Sequence, residues 1–378
     1  MSELLYRMAM TRLMPMASRE QRIILNELGC ATEVYAHRHE LHQLLSRSAW
    51  RVADALADMD SVLGRCQAEI DYCRSHNISI LTIGDDDYPA RLAQADDAPL
   101  VLYALGLGAR QVLNAPHVVS VVGTRRCTEA GRQLCTRFAA ELQQLLPDTV
   151  IISGLAYGID IAAHRGALQA GLPTVAVLAH GLDQIYPRMH RDTAVQMLQQ
   201  GGLLTEYMSQ TTPDKVNFVQ RNRIVAALAD VVLVVESAAK GGSLITANMA
   251  FDYGRDVCAF PGRVTDAASA GCNMLIRSTR AALVQSAADL IETMRWQPQT
   301  HTPDGIQTEL LPQLTDDQQA IINALRDTDE ATLTDICTRL QWPVTRVMPL
   351  LFEMEMKGLL LALPGNRYKS AATPQLKV

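Results

Sequence analysis

No C-x-x-C pair occurs among the eight cysteines of this 378-residue chain, Cys30, Cys66, Cys73, Cys127, Cys135, Cys258, Cys272 and Cys337, and no His-x-x-x-His lies nearby. That scatter disfavours zinc and reads as reduced thiols used in packing. Long apolar runs are lacking too. The stretch from Leu4 to Met16 is shorter than a membrane span, is broken by Arg7 and Arg12, and has no run of the kind a signal peptide carries. A cytoplasmic protein is expected. Nor is there a surplus of positive charge: 34 Lys and Arg face 40 Asp and Glu, for a net charge of −6. Any nucleic-acid site must then be a local concentration of arginine on an acidic body. Neither G-x-x-x-x-G-K-[ST] nor G-x-G-x-x-G is present, which argues against a P-loop nucleotidase and a dinucleotide fingerprint. No serine, histidine and carboxylate stand at a spacing diagnostic of a hydrolytic triad, so no catalytic residue, metal or cofactor is expected.

What is present is enough apolar residue, 48%, to bury at least one large core, at a length that suits two or three domains. Residues 1–78 carry helical spacing, as in Gln21 to Leu28 followed by Gly29 as a C-cap, and predict a small helical domain with a packing role. Over 79–296, strands expected at Ile78–Ile83, Leu100–Leu105, His117–Val122, Thr149–Ser153, Thr174–Leu178, Leu203–Thr205, Asp230–Glu236 and Val257–Phe260 alternate with helices such as Thr128–Leu146, Asp160–Ala170 and Phe218–Ala229. This predicts an extended Rossmann-like, mostly parallel sheet covered on both faces. Residues 297–312 have linker composition. Over 313–378, helices at Thr315–Leu325, Thr332–Leu340 and Val344–Lys357 and a hairpin around Gly365-Asn366 give the order of a winged helix-turn-helix. Between Leu314 and Ala372 eight acidic residues face six basic ones, which disfavours duplex binding and favours protein contact.

Four loops after strands hold glycine, small hydroxyl residues and arginine. They are Val121-Val122-Gly123-Thr124-Arg125-Arg126, Ser153-Gly154-Leu155-Ala156-Tyr157-Gly158-Ile159-Asp160, Gly181-Leu182-Asp183-Gln184-Ile185-Tyr186-Pro187-Arg188 and Lys240-Gly241-Gly242-Ser243-Leu244-Ile245-Thr246-Ala247. In an open parallel sheet ligands bind beyond the carboxyl ends of the strands, where glycine and helix N-termini suit an anion, and arginine at that edge implies phosphate. Asp160 is expected as an N-cap and His164 as structural. Arg221-Asn222-Arg223 is expected at a helix start, where cations need an anion. Arg223 stays open between a ligand contact and internal compensation by Asp214 or Asp230.

These stretches, with Tyr88-Pro89, Asp97-Ala98-Pro99 and Gly271-Cys272-Asn273-Met274-Leu275-Ile276, resemble the DprA/Smf family, the DNA-processing proteins of natural transformation. The resemblance spans about 190 residues of the chain; the N-terminal helical domain, of the SAM or helix-hairpin-helix type, and the winged helix match in position and type. It implies a homodimer that binds and protects single-stranded DNA and helps load the RecA recombinase, without being an enzyme. It implies phosphate contacts at Gly123, Thr124 and Arg125, backbone or hydroxyl contacts at Ser153 and Gly154, and a basic contact at Arg188. Arg221, Asn222, Gly242, Ser243 and Asn273 complete the same rim. Two alternatives stand beside it. One is a phosphoribohydrolase-type nucleotide-processing enzyme, whose Pro-Gly-Gly-x-Gly-Thr loop is followed by a glutamate that this chain lacks. The other is a winged-helix regulator of duplex DNA.

Overall fold

Alternate residues along the Val- and Ile-rich strands pack into different cores. Val118 and Val122 enter one apolar cluster while Val119 and Val121 enter another, and Val150 and Ile152 part from Ile151 in the same way. A strand buried on both faces is what crossover helices on both sides of a sheet produce. The computed structural model describes residues 3–13, 18–45, 50–106, 109–297, 315–326, 331–356, 359–363 and 367–370. It divides into two compact units, residues 1–300 and 301–378.

The first unit opens with helices α1 (Glu3–Leu13), α2 (Ser18–Leu28), α3 (Ala31–Ala36), α4 (Leu41–Leu44), α5 (Trp50–Leu56) and α6 (Asp60–Ser75). Gly29 ends α2 at φ +87° and donates its N–H to Leu25 O at 2.7 Å, a left-handed cap that glycine adopts without strain. There follow β1 (Ser79–Thr82), α7 (Ala90–Ala93), β2 (Val101–Leu105), α8 (Ala109–Val112), β3 (His117–Val122), α9 (Glu129–Leu145), β4 (Thr149–Ser153), α10 (Ile159–Ala170) and β5 (Thr174–Val177). The unit continues through α11 (Arg191–Gln200), β6 (Gly201–Thr205), α12 (Lys215–Ala227), β7 (Val231–Val234), α13 (Gly242–Asp252), β8 (Asp256–Ala259), α14 (Ala270–Arg277), β9 (Ala282–Leu283) and α15 (Ala287–Thr293).

The strands form one nine-stranded sheet in the order β1-β2-β6-β5-β4-β3-β7-β8-β9. From β6 to β9 every pairing is parallel, and β1 and β2 extend the edge antiparallel. The N-terminal helices share a core with Leu100, Val101 and Tyr103, so they cover this antiparallel end. The chain leaves β3 toward β4 on one side and returns to β7 on the other. That reversal opens a crevice beyond the carboxyl ends of β3, β4 and β7.

The second unit contains α16 (Asp316–Arg326), β10 (Ala331–Thr332), α17 (Leu333–Leu340), α18 (Val344–Met356), β11 (Leu360–Leu363) and β12 (Arg367–Ser370), with a sheet ordered β10-β12-β11. A reciprocal capping box starts α17: Asp335 N donates to Thr332 Oγ1 at 3.2 Å and Thr332 N to Asp335 Oδ2 at 3.0 Å. This is the winged-helix order the sequence predicts, with a third short strand, β10, too brief to show a period of two. The expected Gly365-Asn366 turn and, beyond Gln297, the expected linker lie outside the described residues.

Candidate nucleic-acid interface

The loops at the crevice are clamped to one another through their backbones. Thr124 N donates to Glu236 O at 2.8 Å, and Ile159 N donates to Thr124 O at 3.2 Å. A Cβ on Gly123 would fall on the Ile159 side chain, and Gly158, at φ +79°, has the Thr124 carbonyl where its Cβ would be. These two glycines are therefore required by close approach rather than by flexibility. The Glu236 carboxylate accepts from Thr128 N at 2.9 Å and from the Thr128 hydroxyl, so the end of β7 holds the start of α9. Arg125 thus projects from a fixed backbone.

Two cavities meet in this crevice. The larger, about 1100 Å³, is lined among others by Arg125, Arg188, Arg191, Lys215, Tyr186 and Phe218. The smaller, about 260 Å³, is lined by Gly123, Thr124, Gly154, Asp160, Gly241, Ser243 and their neighbours. Arg125, Arg221, Asn222 and Gly242 line both. Arg125, Arg188, Arg191 and Lys215 are exposed and have no ion-pair partner among the described residues. The carboxylates on the larger cavity are Asp183 and Asp214, and Asp214 is occupied in capping α12, accepting from Val216 N at 2.7 Å. The balance is positive, on a protein whose overall charge is negative. At the smaller cavity α13 begins at Gly242, so unpaired helix N–H groups add partial positive charge there.

The cations stand beside aromatic rings. The Arg125 guanidinium lies 5.2 Å from the Phe218 ring centroid, and the Tyr186 ring centroid is 5.9 Å from that of Phe218 at 55°. Tyr186 is exposed and Phe218 half-buried. The combination offers a charged rail for phosphates and ring faces for bases.

Of the residues singled out in the sequence, Gly123, Thr124, Gly154 and Ser243 line the smaller cavity, Arg188 lines the larger, and Arg125, Arg221, Asn222 and Gly242 line both. Two are not brought there. Ser153 is fully buried and its hydroxyl donates to Val121 O at 2.6 Å. Asn273 closes a loop, donating to Gly262 O at 2.9 Å and accepting from Gly262 N at 3.1 Å. Arg221 sits at the floor, 3% exposed, donating to Gly154 O at 2.7 Å and also to Val177 O. A Cβ on Gly154 would collide with that guanidinium. Arg221 is therefore a strut beneath the crevice, tying the ends of β4 and β5 together.

Three expectations are corrected. The helix bearing Arg221 and Arg223 begins at Lys215, so these arginines are not at its positive end. Arg223 pairs with Glu206, neither with Asp214 nor with Asp230, which instead takes Arg91 Nε at 2.6 Å and Val118 N at 2.8 Å. Asp160 is not an N-cap: Gly158 holds that position, and Asp160 is the second residue of α10, accepting from Ala156 N at 3.3 Å. Burial pushes the Asp160 carboxyl upward, and the Arg221 charge opposes that rise. His164 is fully buried, with Nδ1 2.7 Å from Thr174 Oγ1, and burial pulls its pKa down to about 3.

Lys215 and Phe218 also line the larger cavity without having been expected there, beside Tyr186 of the third loop and Arg191 just beyond it. A signal existed for both, since Lys215, Phe218 and Asn222 fall at i, i+3 and i+7 and share one helix face.

The family model for DNA recombination-mediator protein A matches residues 79–295, and a DprA winged helix model matches 307–366. The chain belongs to the DNA recombination-mediator protein A family. A putative DNA processing protein DprA of Mycobacterium tuberculosis is 37% identical over 74% of each chain, and protein Smf of Escherichia coli is 34% identical over 77% of each. Among solved structures, DNA processing protein A of Streptococcus pneumoniae covers 76% of this chain and 97% of its own at 31% identity, with a TM-score of 0.59. DNA processing protein A of Helicobacter pylori, described for its single-stranded DNA binding mode, covers 58% of this chain and 95% of its own at 31% identity, with a TM-score of 0.51. As a family member the chain is a DNA-processing protein, and the family's Rossmann-like core is the part that carries the crevice. Among the described residues no helix is long and apolar enough to cross a membrane, and no cluster of residues could hold a metal ion.

Proposed function

We propose that this crevice binds single-stranded DNA with little sequence preference, and that the protein acts in the cytoplasm as a homodimeric recombination mediator that protects an incoming strand and helps load RecA on it. The observation that carries the DNA reading is the cavity in which unpaired Arg125, Arg188, Arg191 and Lys215 surround Phe218 and Tyr186. Four cations on a groove suit a flexible backbone of phosphates. The rings suit unstacked bases, which duplex DNA does not offer. The related Helicobacter pylori protein, described for its single-stranded DNA binding mode, supports the same ligand class. Family membership supports the RecA step. The role we assign is binding, which the lining of the smaller cavity supports: its one carboxylate among the described residues, Asp160, is 9% exposed.

Titration of labelled oligo-dT and of a duplex of equal length tests this. Single strand should bind more tightly, and log affinity should fall linearly with log salt at about −0.7 per phosphate contact. Equal or tighter duplex binding, or binding indifferent to salt, would remove the reading.

The second unit should contribute little to that affinity. On α18 the outer face presents Val344, Met348 and Phe352, each about half exposed or more, while Arg346 is held by Asp317 at 2.8 Å and lies 4.0 Å over the Trp342 ring. Deleting residues 301–378 should leave single-strand affinity within about threefold, under about 1 kcal/mol. A tenfold loss at fixed salt, with the first unit still folded, would show the winged helix to be a DNA contact.

A further inference from the structure

We propose that the bound strand does not end at the crevice but continues over the segment after β6 into a second cleft, where the N-terminal helices supply a phosphate contact through Arg12. This rests on the single-stranded DNA reading above. The cleft, about 460 Å³, lies between α1, α2 and α6 on one side and residues 206–212 on the other. It adjoins the first site through one helix turn: Pro213, Asp214, Lys215 and Phe218 line the crevice, while Thr211, Thr212 and Asn217 line the cleft. Asn217 and Phe218 are consecutive, about 3.8 Å apart at Cα. A strand stacked on Phe218 therefore needs to cross only the rim of α12 to enter the cleft.

The lining fits a sugar-phosphate backbone rather than a base. Hydroxyl and amide side chains from Ser18, Thr211, Thr212 and Asn217 dominate it, and its one aromatic, Tyr207, is half-buried with its hydroxyl turned to Asn217 O at 3.5 Å. Its charges resolve to one free cation. Arg65 is bound to Glu69 at 2.7 Å and to Ser209 O at 2.7 Å, and Glu206 is bound to Arg223. Arg12, in the last turn of α1, is exposed and has no hydrogen-bond or ion-pair partner among the described residues. Position at a helix C-terminus favours a cation there in any case. What distinguishes Arg12 is that it is the cation left unpaired on a polar cleft adjoining a cationic one.

Strand length separates the two sites. Oligo-dT of about 4 nucleotides should fill the crevice alone, and about 16 nucleotides should reach the cleft, a range typical of single-strand-binding domains. In the full-length protein, Arg12→Glu should weaken the longer oligonucleotide by about tenfold and reduce its salt slope by about 0.7, while leaving the shorter one within about twofold. Arg19→Glu makes the same charge change on an exposed residue that does not line the cleft, and should have less than a third of the effect. Equal losses for Arg12→Glu and Arg19→Glu would mean a general field and overturn the proposal. So would equal losses on both lengths, or no loss on either. If the unaltered protein fails to bind even the longer strand, the underlying single-strand reading falls as well, which the other outcomes leave standing.

Discussion

Arg125→Ala should weaken single-stranded DNA binding by about 10-fold to 150-fold and leave the melting temperature within about 2 °C. Arg125 projects from a loop whose backbone is fixed by Thr124 N to Glu236 O and by Ile159 N to Thr124 O, so the side chain is not needed to shape the loop. It is exposed, lines both cavities, and forms no salt bridge among the described residues, its charge acting on Asp160 only at longer range. Removing a charge-assisted contact to phosphate costs about 1.5–3 kcal/mol, which is the stated loss in affinity. Nothing buried is uncovered, so stability should hardly move. Arg126→Ala is the matched control, since Arg126 is exposed, adjacent and lines neither cavity. Fluorescence anisotropy with oligo-dT, paired with a thermal melt, measures both quantities. A large drop in melting temperature for Arg125→Ala, or an equal loss of affinity for Arg126→Ala, would remove Arg125 from the interface.

The strands that carry the site were legible because their burial on both faces leaves continuous Val and Ile runs. His117–Val122 and Thr149–Ser153 coincide with β3 and β4. The glycine and arginine loops were legible for a related reason, since close approach leaves glycine as the one residue that fits at Gly123 and Gly158. What the sequence could not show is which arginines face the crevice and which are buried beneath it. Arg221 and Arg223 differ from Arg125 and Arg188 only in what surrounds them. Their partners are distant in the chain: Gly154 and Val177 for one and Glu206 for the other. The edge strands β1 and β2 were legible at Ile78–Ile83 and Leu100–Leu105, whereas β9 escaped, because a two-residue strand such as Ala282–Leu283 has no periodicity to read. Phe218 was overlooked because a lone aromatic on a helix with Val216, Val219, Ile224 and Val225 reads as packing until the helix is seen to border a cavity.

Arg221→Met should destabilise the first unit by about 3–5 kcal/mol, the range for breaking a buried charge pair. The substitution strands the carbonyl oxygens of Gly154 and Val177, which Arg221 now satisfies, and removes the cation that opposes the burial of Asp160. Arg221→Lys should not restore stability, because one ammonium on a shorter stem does not reproduce the planar guanidinium that reaches both carbonyls. Asp160→Asn added to Arg221→Met should recover part of the loss by removing the unopposed carboxylate. The pH dependence follows from the direction of the Asp160 shift. Burial raises its folded-state pKa, so in a range above the unfolded value the folded protein holds a proton that the unfolded chain has released, and stability falls as pH rises through that range. Without Arg221 the rise is larger, so the deficit of Arg221→Met against the unaltered protein should be smaller near pH 5, about one unit above the unfolded value, than near pH 8. Urea unfolding at both values, followed through the first unit with residues 301–378 removed, measures this. Should Arg221→Met unfold with the unaltered protein at both pH values yet lose single-strand binding, Arg221 would be a direct phosphate contact rather than the strut beneath the crevice.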